Sequence, residues 1–287
     1  STYLENAAAT IIDSTVVIAD VDAVDFNLGS LTIGIAETAD DATDVLSIVP
    51  EGDGVGQIGA SGGNVRYGGT MIGTFMGGTG GSDLSITFNS DATIDAINAL
   101  AQQIGFSSSS DGPTANSSTR TINFTLVDGS GTFNGGADTV AVNSILTITP
   151  VGDTPTVANI TTLEDTQSGL IAIARHASDG AEVTHFKITG ITGGVLYLSD
   201  GTTSVSNGTY ITHAQGVAGL KFTPYLHSNV AGRFDVESSE NGTSVAAQSV
   251  AAISTITVTA VNDAPSGADK TITLSEDVAY TLTSTDF

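Results

Sequence analysis

Apolar and polar residues alternate with a period of two along most of the chain. Between Arg120 and Val127, Ile122, Phe124 and Leu126 alternate with Thr121, Asn123 and Thr125, which predicts a half-buried strand. Thr139 to Thr149 predicts another, with Val140, Val142, Leu146 and Ile148 on one face, and Ile256, Val258 and Ala260 mark a third. One stretch departs from this period. After Asp91, the residues Ile94, Ile97, Leu100, Ala101 and Ile104 recur at three- and four-residue spacing. That spacing predicts a helix over 91–104, with Asp91 as N-cap and Asp95 in the first turn, covering an open end or face. Asn207-Gly208 and Asn241-Gly242 supply tight hairpins. Many short strands with turn signals between them predict an all-β chain of tandem β-sandwiches, the first with one inserted α-helix.

Two signatures recur as a pair. Val151-Gly152-Asp153-Thr154-Pro155 is followed by Leu163-Glu164-Asp165-Thr166, and Val261-Asn262-Asp263-Ala264-Pro265 by Ser275-Glu276-Asp277-Val278. A third copy of the second signature, Leu4-Glu5-Asn6-Ala7, lies near the start. The repeat predicts one module over 1–155, a second over 156–265 and the first strands of a third over 266–287. Ser1-Thr2-Tyr3-Leu4 reads as mid-strand and Thr285-Asp286-Phe287 as the interior of a pattern, so the expectation is a segment of a longer polypeptide.

Composition narrows the function. The 287 residues carry 7 Lys+Arg against 31 Asp+Glu, a net charge of −24. Nucleic-acid binding and attraction to anionic membranes therefore lack their main electrostatic term. With 40% hydrophobic and 13% charged residues the chain is too apolar for a disordered acidic tail. The absence of cysteine removes disulfides, thiolate catalysis and cysteine-zinc sites. No apolar stretch is long enough for a spanning helix, so no membrane insertion is expected.

Several motifs resemble catalytic ones without their context. Gly54-Val55-Gly56-Gln57-Ile58-Gly59 matches a dinucleotide fingerprint and Gly59-Ala60-Ser61-Gly62-Gly63 a nucleophile elbow, but the helix that both require is missing from the sequence that follows. Gly77 to Asp83 resembles one turn of a calcium nonapeptide and reads as a hairpin loop. His176, His185, His213 and His227 show no metal-binding spacing. Nothing isolates a carboxylate pair in an apolar pocket, so no enzyme is expected.

The acidic residues are placed unevenly. Asp153, Glu164 and Asp165 gather around the first module boundary; Asp263, Glu276 and Asp277 gather around the second, where Asn262 adds an amide oxygen. Glu5 opens the third copy of the signature. Oxygen-only, carboxylate-rich sites suit hard cations, and the flexible coordination of calcium fits ligands drawn from two modules and a linker. Asp20 and Asp22, spaced to face one way, together with Asp128 and Asp179 in turn-like contexts, are further candidate ligands. The alternative reading is that Asp-x-Pro is only a turn and the acidic residues serve solubility and edge protection.

The closing Val261-Asn262-Asp263-Ala264-Pro265, with Leu274-Ser275-Glu276-Asp277 a short strand later, resembles the cadherin-like tandem repeats of giant bacterial surface adhesins, among them type I-secreted RTX adhesins and biofilm-associated proteins. Arg66-Tyr67-Gly68-Gly69 and Arg120 to Leu126 are similar to one repeat type of such proteins, and Leu163 to Leu170 and Gly219 to Pro224 to another. The resemblance implies immunoglobulin- or cadherin-like sandwiches in a secreted, non-catalytic array at the bacterial cell surface, stiffened by interdomain Ca2+. It implies adjacent repeats of the same chain as partners. Asp263 and Glu276 match the linker aspartate and early-strand glutamate, and Asp153 and Glu164 match them at the preceding joint. Gly152 stands where Asn is usual and Asn6 where an acidic residue is usual. Other functions expected of such a fold are a carbohydrate- or peptide-binding module, using the glycine-rich loops or Tyr197, Tyr210 and Tyr225, with glycans or surface proteins as partners, and a filament subunit that assembles with copies of itself.

Overall fold

A computed structural model describes residues 1–20, 25–36, 42–132, 137–243, 250–265, 267 and 269–286. Eleven strands and a helix lead to the first proline linker. They are β1 (Thr2–Leu4), β2 (Thr10–Ile11), β3 (Ser30–Ile35), β4 (Asp44–Ile48), β5 (Ile58–Ser61), β6 (Asn64–Tyr67), β7 (Thr70–Gly77), β8 (Leu84–Phe88), α1 (Ile94–Ala101), β9 (Ile104–Ser108), β10 (Thr119–Val127) and β11 (Thr139–Thr149). An eight-stranded sheet in the order β1-β11-β10-β3-β8-β7-β6-β5 and a three-stranded sheet β2-β9-β4 enclose a core that includes Tyr3, Phe26, Ile33, Phe106, Ile122 and Leu146.

The linker leads to β12 (Thr156–Val157), β13 (Ile160–Leu163), β14 (Ile173–Ala174), β15 (His185–Thr192), β16 (Gly194–Tyr197), β17 (Ser204–Val205), β18 (Thr209–Thr212), α2 (His213–Ala218), β19 (Lys221–Pro224), β20 (Gly232–Ser239) and β21 (Ala252–Thr259). The sheet β13-β21-β20-β15-β18 and the sheet β17-β16-β19, with the β12-β14 pair beside it, enclose a separate core around Phe186, Phe222, Phe234 and Ile256. The chain is thus all-β, built as β-sandwiches with small helices.

The two sandwiches share one plan. Each carries an early strand parallel to its last strand, β1 with β11 and, after the short β12, β13 with β21. Each places a helix just before a strand of the smaller sheet, central β9 in the first and edge strand β19 in the second. At that strand Ile12 N–H donates to Ile104 O at 2.9 Å and Ile171 N–H to Leu220 O at 2.8 Å. The helix α2 was not expected. It has six residues and contains Gly216, too short to give a helical period, but Thr212 and Gln215 form a reciprocal capping box. In α1 the buried Ala96, Ile97, Leu100 and Ala101 follow the predicted stripe. Its N-cap is Thr93, whose hydroxyl accepts from Ala96 N–H at 3.3 Å. Asp91 instead donates its N–H to Asn89 Oδ1 in the preceding turn, and Ile104 belongs to β9.

Strand β10 alternates as its sequence predicts, with Ile122, Phe124 and Leu126 buried. Strand β11 does so only near its end: Leu146 and Ile148 are buried, whereas Val140 and Val142 are each 52% exposed. Before Thr147, among the described residues, no strand pairs with the outer edge of β11, because β1 is short and reaches only Thr147–Thr149. The glycine-rich loops are strand connections: Gly54 to Gly59 runs into β5, and Gly77, Gly78, Gly80 and Gly81 take positive φ between β7 and β8. Among the described residues of 266–287, where the opening strands of a third module are expected, there is no strand. The turn at Ser275–Val278 is nevertheless made like those at Leu4–Ala7 and Leu163–Thr166. Val278, Ala7 and Thr166 N–H donate to the carbonyls of Ser275, Leu4 and Leu163 at 3.4, 3.0 and 3.3 Å.

Candidate metal centre at the joint between the sandwiches

Parallel pairing decides which carboxylates meet. Strand β1 runs toward the end of β11, so Glu5 arrives beside the exit of its own sandwich: Glu5 N–H donates to Thr149 O at 3.0 Å and Val151 N–H donates to Glu5 Oε2 at 2.8 Å. Strand β13 delivers Glu164 to the exit of the second sandwich in the same way. Glu164 N–H donates to Thr259 O at 2.9 Å, and Val261 N–H donates to Glu164 Oε1. The expected grouping of Glu164 and Asp165 with Asp153 is therefore corrected. The glutamate at the joint of Asp153 is Glu5, which accepts from Val151 N–H, and Glu164 and Asp165 lie at the following joint. Neighbours in sequence are separated by the length of a sandwich because the strand that carries the glutamate runs away from the linker.

Three successive N–H groups of the first linker each donate to a carboxylate from a different element. Val151 donates to Glu5, Gly152 to Glu240 Oε1 at 2.6 Å, and Asp153 to Asp179 Oδ1 at 3.0 Å. Glu240 follows β20 and Asp179 lies in the loop after β14, both in the second sandwich. Ser178 Oγ–H donates to Asp153 Oδ2 at 2.5 Å, and His176 Nδ1 lies 3.5 Å from the same oxygen. Donor atoms of Asp111, Asp153 and His176 lie within 4.8 Å of one another. Glu182 accepts from Gly180 N–H and lines a cleft of about 360 Å³ with Thr114, Ser118 and Pro150.

The linker is pressed against the second sandwich, which accounts for Gly152. A β-carbon there would lie 2.7 Å from Ser238 Cβ and 3.1 Å from Val183 Cγ2, so an asparagine at this position, like that at Asn262, has no room. Val151 is 5% exposed, against 45% for Val261 at the next joint. The first joint is a packed one.

Two oxygens in this cluster are left over. Glu5 is 4% exposed, and its Oε1, like Asp179 Oδ2, is buried with no hydrogen-bond partner. Burial pushes the Glu5 carboxyl up to about 7; the Val151 N–H opposes the shift, and the charges of Asp153, Asp111 and Glu182 add to it. Burial likewise raises Asp179, against the Asp153 N–H and with the charges of Asp153 and Glu182. The donor set is almost all oxygen, as a hard divalent cation requires, and it includes buried lone pairs that a cation, a proton or a water would satisfy. These residues fit calcium.

At the second joint His227 stands between aspartates. Its N–H donates to Asp165 Oδ1 at 2.7 Å, and its Nδ1 lies 3.2 Å from both Asp165 Oδ2 and Asp263 Oδ2. Asn262 is exposed, its amide directed at Asp263 O at 3.4 Å. Glu276 and Asp277 are exposed on the segment beyond, and no contact joins them to Asp263 among the described residues.

The remaining candidates lie elsewhere. Asp128 Oδ1 accepts from Ser130 N–H and Oγ at 2.7 and 2.9 Å, closing the turn between β10 and β11. With Asp20 and Asp138 it lines a cleft of about 240 Å³. That cleft is a strand's length from the first joint, roughly 26 Å at the usual rise per residue. Asp22 lies outside the described residues. Tyr197 and Tyr210 sit in opposite sheets of the second sandwich and share no face with each other. Asp111, Glu182, Glu240 and His176 were not foreseen. All lie in loops, where no period marks them, and the local signal available was an acidic residue in a turn, as in Asp111-Gly112 and Glu240-Asn241-Gly242.

No family model matches the chain, and no curated protein matches it. Among solved structures it is similar to repeats EC22-24 of mouse cadherin-23, with 9% identity over 91% of this chain and a TM-score of 0.33. It spans 63% of that fragment. The C-terminal domain of the Streptococcus agalactiae AgI/II polypeptide BspA gives 11% identity, coverage of 89% of this chain and 94% of that one, and a TM-score of 0.30. Mouse protocadherin-24 EC1-3 gives 12%, 90%, 96% and 0.26 in the same order. These likenesses are loose, and the chemistry of the joint is read from its own side chains. Fold and site together define a tandem of β-sandwiches with an acidic joint. Among the described residues no helix is long and apolar enough to cross a membrane.

Proposed function

We propose that the chain is a non-catalytic structural segment of an extended extracellular array, of the kind found on bacterial cell surfaces, whose consecutive sandwiches are fixed end to end by calcium. One observation carries this reading: the first linker is ringed by carboxylates from both sandwiches, and two of their oxygens are buried without partners. Glu5 from the first sandwich, Asp153 from the linker, Asp179 and Glu182 from the second sandwich and Asp111 from the loop before β10 would hold the ion. The bound ion supplies positive charge that offsets their repulsion and ties both sandwiches to one centre. The net charge of −24 supports the same reading, since a compact acidic chain gains from cation uptake. The partner of each sandwich is then its neighbour in the same polypeptide.

Small-angle scattering and thermal unfolding with calcium and with chelator test the proposal. Calcium should lengthen and stiffen the particle and raise the midpoint. Unchanged dimensions and midpoint would overturn it.

A further inference from the structure

We propose that the first sandwich pairs edge to edge with a second copy of this chain, β11 against β11 in antiparallel register about a twofold axis at Val142. This goes beyond the joint, which links successive sandwiches of one chain end to end, and it does not depend on calcium.

The open edge follows from the hydrogen-bond pattern of β11. Its register with β10 runs unbroken from Thr139 to Thr147, so its backbone groups alternate in direction. Even-numbered residues bond toward β10: Asp138 O, just before the strand, accepts from Asp128 N–H at 2.9 Å, and Ile148 N–H donates to Ser118 O at 2.8 Å. Odd-numbered residues bond outward: Thr147 N–H donates to Ser1 O and Thr149 O accepts from Glu5 N–H, both at 3.0 Å. The same outward row continues through Thr139, Ala141, Asn143 and Ile145, where no strand takes it among the described residues.

Comparable edges are closed. At β5, on the far side of the same sheet, Glu51 and Gly52 N–H donate to Ile58 O at 2.8 and 3.2 Å. In the second sandwich, the part of β21 that precedes its pairing with β13 is held at Thr255 N–H by Asn159 Oδ1 and at Ser254 Oγ–H by Ala158 O, each at 2.8 Å. On β11 the bare stretch is apolar as well, with Val140 and Val142 half exposed and Ile145 62% exposed. Sheet edges are normally guarded by charge or proline. Residues 139–149 contain neither, although the chain carries 31 Asp+Glu.

That neutrality favours a second copy as the occupant. Two chains this acidic repel wherever carboxylates meet, and an uncharged strand lets them approach without like charges opposite each other. The open row also fits itself. Thr2 pairs with Thr147, so Ser1 holds the place opposite Leu146 and limits the overlap. An axis at Val142 sets Thr139 opposite the partner's Ile145 and Ala141 opposite the partner's Asn143, and both pairs are of the hydrogen-bonded kind. Moving the axis to Asn143 would drive Thr139 into β1, and moving it to Ala141 would leave Ile145 bare. On the inner face Val142 meets the partner's Val142. The added strand covers one side of the apolar cleft of about 250 Å³ that Val17, Leu31, Phe124, Leu126, Val140 and Val142 line, which removes apolar surface from water.

Sedimentation equilibrium of the full chain, in chelator and about 0.15 M salt, where charges more than roughly 8 Å apart are screened, tests the pairing. With rising concentration the mass should approach twice that of one chain. Ala141→Pro removes an outward N–H and spares the β10 ladder, and it should weaken the dimer by about tenfold or more. Because the chain has no cysteine, cross-linking under a mild oxidant reads the register independently of that variant. Val142→Cys, at the axis, should form a disulfide-linked dimer, whereas Val140→Cys, which faces the partner's Ser144, should not. A monomer at every concentration overturns the pairing. So does a dimer that Ala141→Pro leaves intact, or one in which Val140→Cys links as readily as Val142→Cys. Chelator keeps these outcomes separate from the joint: a monomer that still lengthens with calcium leaves the joint proposal standing, and a dimer formed by a chain that ignores calcium leaves the edge pairing standing.

Discussion

Glu5 and Val151, at opposite ends of the first sandwich's chain, are joined by a hydrogen bond of 2.8 Å from the valine N–H to Oε2, while the other glutamate oxygen is buried without a partner. The carboxylate thus closes the sandwich and faces the joint. Replacing it separates the two tasks. Glu5→Gln keeps an acceptor for Val151 and removes the charge, so ion-free protein at neutral pH should become more stable. The rise in midpoint on adding calcium should shrink sharply. Calorimetric scans of both proteins with calcium and with chelator check this, and an unaltered calcium response would remove Glu5 from the ion's ligands.

The raised Glu5 carboxyl makes a signed prediction for pH. Its value is about 7 in the folded chain against an ordinary 4.5. A folded value above the unfolded one means that the folded state holds the proton more tightly. The stabilisation is therefore fully present below about pH 4.5 and is lost as pH rises through 7. A gap of this size corresponds to about 3 kcal/mol at most. Asp179 is shifted upward as well and acts in the same direction. Urea unfolding of ion-free protein should show stability falling between pH 4.5 and 7, with a smaller fall in Glu5→Gln. Under saturating calcium the slope should reverse, since the ion binds the deprotonated group and releases protons.

Much of this architecture was legible in the residues. The alternation of Ile122, Phe124 and Leu126 fixes the inward face of β10, and the apolar stripe from Ile94 to Ala101 fixes the buried side of α1. Local patterns failed where a partner decides the outcome. Val140 and Val142 carry the same alternation as Leu146 and Ile148 yet stay half exposed, because burial depends on what lies opposite. The acidic residues that matter were visible by type, but their partnership was not. Asp153 lies close to Glu164 in sequence, yet the glutamate at its joint is Glu5, brought to Val151 by the parallel β1–β11 register. The packing against Ser238 that calls for Gly152 is equally a long-range fact.

Arg120 supports the joint from within the first core. Its Nε donates to Asp44 Oδ2 at 2.6 Å with both side chains 1% exposed, and its other nitrogens hold the carbonyls of Pro113, Ser117 and Thr119. The carbonyls of Pro113 and Ser117 belong to the loop that follows Asp111, whose carboxylate lies near Asp153 of the linker, and Thr119 opens β10, so one guanidinium ties β4 to that loop. Arg120→Met leaves Asp44 as a buried charge and should cost about 3–5 kcal/mol. Asp44→Asn with Arg120→Met should recover part of that loss. Denaturant titration of the single and double variants measures the coupling, and additive losses would show that the pair does not act as a unit.

The last prediction separates turn from ligand. Asn6, Asp165 and Asp277 follow the three repeated glutamates, and their φ values are 60°, 58° and 61°. Each occupies the third place of a turn closed by the bond described above, a place that requires positive φ and favours Gly, Asn or Asp. The change from Asp to Asn at the first copy therefore preserves the backbone. Asn6→Gly should be nearly neutral, whereas Asn6→Val forces a β-branched residue into the left-handed region and should cost about 1–2 kcal/mol. Asp165 carries a second task, since its carboxylate also meets His227 and approaches Asp263 through it. Asp165→Asn keeps the turn and removes one charge from the second joint. Its ion-free stability should match the parent while calcium taken up at that joint, measured by titration calorimetry, declines. If Asp165→Asn leaves calcium uptake untouched, the conserved geometry at this position serves the turn alone.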